Sequence, residues 1–167
     1  MIMKNIGKLR KLMSEKSLSA LVVVPGPNMS YLTGSKFHLS ERPVVLILEQ
    51  ERATFILPEL ESSKVSNLEI ELITYNDETG PDPAFIEFSN KSRFTEVGIE
   101  SRTIRHLELD LLQKTEISKG FVDAIDVFAT LRMSKSNQEK RMMMNAVDIA
   151  QKSLESIMEK IRPGVTE

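Results

Sequence analysis

The chain has 167 residues, 41% of them hydrophobic and 28% charged, and its 22 basic and 24 acidic residues leave a formal net charge of −2. That size and balance suit one domain with a real core and lack the clustered basic excess on which phosphate binding depends, so nucleic acid is not an expected partner. There is no cysteine, which removes a disulfide framework, a thiolate nucleophile and a cysteine-based zinc site, and fits a reducing cytoplasm.

Met1, Ile2 and Met3 run directly into Lys4, so no signal peptide is expected. The longest uninterrupted apolar run is five residues, far below a membrane span. A cytoplasmic protein with no membrane partner is expected. Residues 3 to 16 then set Ile6, Leu9, Leu12 and Met13 at helical spacing, with Lys4, Lys8, Arg10 and Lys11 on the other side. This reads as an amphipathic first helix with a solvated basic face.

Ala20 to Val24 is a mostly β-branched apolar run stopped at once by Pro25, Gly26 and Pro27, the pattern of a buried strand entering a turn. Asn28 is expected to cap a short helical turn through Met29, Ser30, Tyr31 and Leu32, with Gly34 in a left-handed exit. A strand feeding a helix through such a turn could cradle a phosphate, but neither the three-glycine fingerprint nor a Lys-Ser/Thr pair is present.

A polar loop follows, carrying Phe37, His38 and Arg42 and ending at Pro43. The apolar runs 44–48 and 53–57 read as an antiparallel hairpin, and 59–65 offers one or two helical turns. Residues 70–75 form a further strand closed by the turn cluster 76–83, with a short helix after it holding Phe85, Ile86 and Phe88. A strand over 96–100 precedes a helix over 103–112, whose Ile104, Leu107, Leu111 and Leu112 fall at helical spacing. Residues 122–132 are ambiguous, favouring a short strand or turn and then a helix ending near Arg132. The alternation predicts an α/β fold, a mixed sheet flanked by helices.

Ser136 and Glu139 have capping-box spacing. Met142, Ala146, Ile149, Ala150, Leu154, Ile157, Met158 and Ile161 then follow one helical face as far as Pro163 and Gly164, predicting a helix of about 25 residues, about 37 Å long. It is long for a helix that only covers the sheet of a small domain, and is expected to leave that domain. Met133, Met142, Met143, Met144 and Met158 read as core or domain-interface packing rather than as a peptide groove.

Three segments resemble the creatinase, prolidase and aminopeptidase P family. Asn28, Tyr31, Leu32, Thr33 and Gly34 match its Asn-x-x-Tyr-Leu-Thr-Gly segment; residues 131–139 resemble its Leu-Arg-x-x-Lys-Ser-x-x-Glu junction; residues 161–167 resemble its Ile-x-Pro-Gly-x-Thr-Glu. One departure is that after the Lys-Ser pair, here Lys135 and Ser136, the family often continues Glu-Ile-Glu, whereas here Glu139 is followed by Lys140 and Arg141. Residues 50–120 match only in rhythm. The resemblance implies a three-layer, ribonuclease-H-like N-terminal domain over 1–133. It implies that 134–167 are the linker and first helix of a pita-bread catalytic domain, with the rest of that domain beyond Glu167.

In the family that second domain binds two divalent ions, Mn, Co or Zn, through two Asp, one His and two Glu, and all five are expected beyond Glu167. The resemblance further implies a homodimer in which the loop after Gly34 reaches a neighbouring subunit's pocket, making Phe37, His38 and Arg42 candidates for closing over a short proline-containing peptide. The expected activity of the parent is Xaa-Pro dipeptidase, with this chain serving dimerisation and pocket restriction. A stand-alone interaction module and the N-terminal domain of a creatinase-like amidinohydrolase are the alternatives.

The residues themselves predict no chemistry within the chain. A two-metal hydrolytic site needs several carboxylates, usually with histidine, converging on ions about 3.5 to 4 Å apart. The only histidines are His38 and His106, neither with a histidine partner at i+4, and no serine carries a nucleophile motif. Asp77, Glu78 and Asp82 lack the spacing of a calcium loop and read as a solvated turn. No catalytic residue, metal ligand or cofactor is expected in this chain.

Overall fold

The computed structural model describes residues 5–158, 160–164 and 166. Two compact units are present, Met1–Leu131 and Arg132–Glu167. In the first, α1 (Ile6–Glu15) buries Leu9 and Met13 as its amphipathic spacing requires; the expected residues 3 and 4 lie outside the described part. β1 (Ala20–Val23) is buried at every position. α2 (Pro27–Thr33) follows, then β2 (Val45–Glu49) and β3 (Ala53–Pro58) as a hairpin. A 3₁₀ segment (Glu59–Val65) leads to β4 (Glu71–Tyr75). α3 (Asp82–Lys91), β5 (Phe94–Ile99), α4 (His106–Lys114), β6 (Ser118–Asp123) and α5 (Ile125–Met133) complete the order.

The six strands form one sheet in the order β4-β3-β2-β1-β5-β6. β2 runs antiparallel to both β1 and β3, and the pairs β3–β4, β1–β5 and β5–β6 are parallel. This is the ribonuclease-H-like layout: one reversed strand beside the first, with crossovers elsewhere. Because side chains alternate along a strand, β1 sends Leu21 and Val23 to one face and Ala20 and Val22 to the other. The first face meets α1, α2 and α5 through Leu9, Met13, Leu32 and Phe128. The second meets α3 and α4 through Phe85, Phe88, Leu111 and Leu112.

β5 carries one glycine for reasons of space. A Cβ on Gly98 would lie 2.9 Å from that of Ala124 and 2.5 Å from a methyl of Leu21. A side chain there would press on Leu18, on Leu21 of β1 and on Ala124, the residue that leads into α5.

Several expectations need correction. Asn28 is not the cap of α2: Gly26 holds that position, with Pro27 opening the helix. α4 begins at His106 rather than 103 and presents a different face. Leu107 is 37% exposed while Glu108 is fully buried, because Arg105 lies against that carboxylate. β6 covers 118–123, where a strand or turn was expected only from 122.

In the second unit, α6 (Asn137–Met158) opens with the anticipated capping box: Glu139 N donates to Ser136 Oγ at 3.2 Å and Ser136 N to Glu139 Oε2 at 2.8 Å. Its 22 residues fall short of the expected end, leaving Ile161 beyond the helix. None is buried: Met142, Met143, Met144 and Met158 are all more than half exposed, as are Ile149, Leu154 and Ile157.

Candidate functional site

The parallel strands β1 and β5 end side by side, and the chain leaves β1 there through Val24 toward α2. Beyond the carboxyl ends of strands, next to a reversal in strand direction, is where open α/β sheets commonly bind ligands. Here protein side chains close that space. Glu100, the residue after β5, is only 4% exposed; its carboxylate accepts Val24 N at 3.2 Å and Asn28 Nδ2 at 2.6 Å. A buried carboxylate is costly unless hydrogen-bonded, and these donors help supply that requirement.

Every residue of the Asn28 to Gly34 motif is thereby explained as fastening. Asn28 pins α2 to the end of β5. Tyr31 rests half-buried on the core and its hydroxyl accepts Asn5 Nδ2 at 2.8 Å, while Leu32 is 1% exposed. Thr33 donates to Met29 O at 2.8 Å and accepts Ser35 N at 3.0 Å. Gly34 ends the helix at φ +75°, a left-handed conformation that glycine adopts without the strain other residues incur.

The following loop is anchored along its length. Ser35 Oγ donates to Lys64 O at 2.6 Å. Phe37 turns inward: its ring lies 5.7 Å from that of Phe55, with the Lys64 ammonium 5.4 Å above it. Arg105 Nη1 donates to Ser40 O at 2.6 Å while its guanidinium forks onto buried Glu108. Tyr75, itself buried, donates its hydroxyl to Pro43 O at 2.7 Å; burial pushes this phenol above its ordinary range. Arg42 makes two 2.7 Å bonds to Asp77 and a third, at 2.9 Å, to Glu41. The paired guanidinium holds the Asp77 carboxyl below the usual carboxylate range, and Asp77 raises Arg42 in turn.

Of the three loop candidates, then, Phe37 packs on the core side and Arg42 is committed to Asp77 and Glu41. His38 is exposed, beside Leu39 at 55% exposure. A shallow cleft of about 300 Å³ lies beside Arg42, between Pro43 and Pro81. A ligand carboxylate entering it would have to compete with Asp77. Among the described residues no group of three or more His, Cys, Asp or Glu is placed to hold a metal ion, and no helix is long and apolar enough to cross a membrane.

Glu100 and the Arg105–Glu108 pair were not anticipated from the sequence. The available signals were an acidic residue directly after the apolar strand run, and a glutamate three residues after Arg105, the spacing of a helix-start carboxylate.

What these observations define is a ribonuclease-H-like α/β domain whose most distinctive segment is fastened from strand end to loop end. The model of the creatinase/prolidase N-terminal domain matches residues 5–134; the chain belongs to that family. The Xaa-Pro dipeptidase of Pyrococcus horikoshii is 25% identical over 170 residues, aligning with 98% of this chain and 44% of its own length. A dipeptidase structure from the same organism superposes with a TM-score of 0.82 at 27% identity, covering 93% of this chain and 44% of that one. A domain of a Streptococcus thermophilus dipeptidase, at 20% identity, shares the fold with a TM-score of 0.69, covering 78% of this chain and 99% of that one. The chain thus spans less than half the length of the archaeal relatives it matches.

Proposed function

We propose that this chain serves as the non-catalytic N-terminal part of a proline-specific dinuclear metallopeptidase of the Xaa-Pro dipeptidase type, working in the cytoplasm. The observation that carries this reading is the alignment of nearly the whole chain with under half of the Pyrococcus Xaa-Pro dipeptidase. In this reading the compact sheet is the N-terminal domain, and residues 134–167 are the linker and first helix of the catalytic domain. The donor set present here does not fit a two-metal centre, since among the described residues no three candidate ligands converge. The Mn, Co or Zn pair and the hydrolysis of the bond before proline are therefore assigned to residues outside this chain.

The domain's own contribution is to shape a homodimer and to narrow the substrate pocket of the partner subunit to short proline-containing peptides. The anchored loop supports that role. Phe37 and Arg42 hold its path, and His38 and Leu39 stand exposed where they could meet a neighbouring surface. A loop held in advance loses little entropy on closing over a ligand.

A chimera tests the reading. Residues 1–167 are fused to the complementary C-terminal portion of the Pyrococcus Xaa-Pro dipeptidase, in place of that enzyme's own N-terminal part. Hydrolysis of Xaa-Pro dipeptides by the chimera is expected, with none by the 167-residue chain. A folded, metal-loaded chimera that cleaves no Xaa-Pro bond would overturn the peptidase assignment in favour of an interaction module or a creatinase-like partner domain.

A further inference from the structure

Among the described residues β6 is the last strand of the sheet, and one of its edges has no strand beside it. In a parallel pair, successive residues of a strand direct their N–H and C=O groups alternately to one side and the other. Ala124 N donates to Ile99 O at 2.9 Å on the β5 side, and Val122 shares that parity; nearer the start of the strand the alternation breaks, since Phe94 N donates to Ile117 O at 2.8 Å and Gly120 N to Ser118 Oγ at 3.2 Å. Phe121 and Asp123 therefore turn their backbone groups to the open edge. Lys119 lies with Phe121 on the face of α3 and α4, where Phe121 is partly buried, and Asp123 shares that face by alternation. Lys119 and Asp123 are exposed on either side of it.

We propose that this edge pairs antiparallel with the same edge of a second copy of the chain, about a two-fold axis passing at Phe121. The proposal rests on the homodimer reading above and names the surface that makes the dimer. Placing Phe121 opposite itself sets Lys119 opposite Asp123 twice, once on each side of the axis. It also sets the outward backbone groups of the two Phe121 residues opposite each other, as a hydrogen-bonded antiparallel pair requires.

Neighbouring registers fail on one count or the other. A slip of one residue opposes outward-facing with inward-facing backbone groups, and a slip of two separates both charge pairs. A lysine on an edge strand ordinarily deters pairing; the aspartate four residues away makes this edge complementary to itself, as a two-fold interface requires. Two Phe121 rings would meet at the centre, beside a cleft of about 530 Å³ that Phe94, Gln113 and Lys119 also line and that leaves room for the partner's side chains.

Sedimentation velocity over a concentration series, on the 167-residue chain and its variants, tests this. A reversible dimer is expected. Lys119→Asp opposes two acids twice and Asp123→Lys opposes two lysines twice, so each should raise the dissociation constant by roughly tenfold or more. An equimolar mixture of the two single variants should form a heterodimer, and the double variant should regain the homodimer.

Asp123 also accepts Ser101 Oγ at 2.9 Å and Ile125 N at 3.2 Å, so each variant's thermal transition is followed by circular dichroism. If Asp123→Lys does not fold, a graded weakening from wild type through Lys119→Ala to Lys119→Asp decides the question. A wild-type chain that stays monomeric at all concentrations would overturn both the edge pairing and the dimer reading. A dimer indifferent to these charges would overturn the edge pairing and leave the dimer reading standing.

Discussion

α2 and α6 differ in how much of their surface the described residues bury, and the shorter helix buries more. The seven residues of α2 are too few to hold a helix alone, yet three of them are buried and every residue of its sequence motif makes a native bond or contact. The 22 residues of α6 have strong amphipathic order and a complete capping box, and bury nothing. Amphipathicity thus records which face a helix offers, not whether the face is taken. A short helix with committed side chains can be better fixed than a long one without them.

The contrast can be broken at its strongest point. Leu32→Ala removes a fully buried side chain from beneath α2 and should lower stability by about 2–5 kcal/mol, read as a shift in urea midpoint. A midpoint that does not move would mean that α2 contributes nothing to the core. Asn28→Ala leaves the buried Glu100 carboxylate short of a donor and should cost about 1–3 kcal/mol. Glu100→Gln in the same background should soften that loss, since an uncharged partner tolerates burial better.

A smaller effect is expected at Asp77, which is exposed. Its carboxyl is held low by Arg42, so its contribution is present above the ordinary carboxylate range and lost as pH falls through the lowered value. The stability gap between wild type and Asp77→Asn should therefore be open at neutral pH and close in acid. A gap independent of pH would show that the ion pair does not operate in solution. The smallest effect sharpens the other side of the comparison. Replacing Ile149 and Ile157 by Lys, at positions 68% and 54% exposed, should leave the first unit's thermal transition unchanged within about 0.5 kcal/mol.

The strands were legible wherever apolar runs met turn residues, as at Ala20 to Val24 and in the hairpin 44–57, because burial on both faces writes a continuous hydrophobic signal. β6 was legible only at its end, since an edge strand holding Lys119, Gly120 and Asp123 carries little of that signal. Glu108 was misplaced for a related reason. Periodicity assigns a charged residue to solvent, and only the approach of Arg105, with its further bond to Ser40, lets the carboxylate sit inside. Asn28 looked like a cap because caps are local. Its true partner, Glu100, lies 72 residues away, a distance that no windowed pattern can cross. The loop candidates were legible as a place rather than as roles: the sequence pointed to the segment after Gly34, and the structure divides it into Phe37 and Arg42, which hold, and His38, which is exposed.

The bond between Asn28 and Glu100 also sets an order of events during synthesis. β1, α2, β2 and β3 leave the ribosome as a local antiparallel set that can assemble from short-range contacts, whereas Glu100 is made some seventy residues after Asn28 and reaches it only when β5 slots in beside β1. Until that moment α2 has its hydrophobic underside but no latch, and the loop beyond it lacks Arg105 to grip Ser40. The segment that looks most settled in the finished domain is, by this connectivity, among the last to become so. Pulse-labelled amide exchange during refolding should find α2 protected in step with β5, after the hairpin.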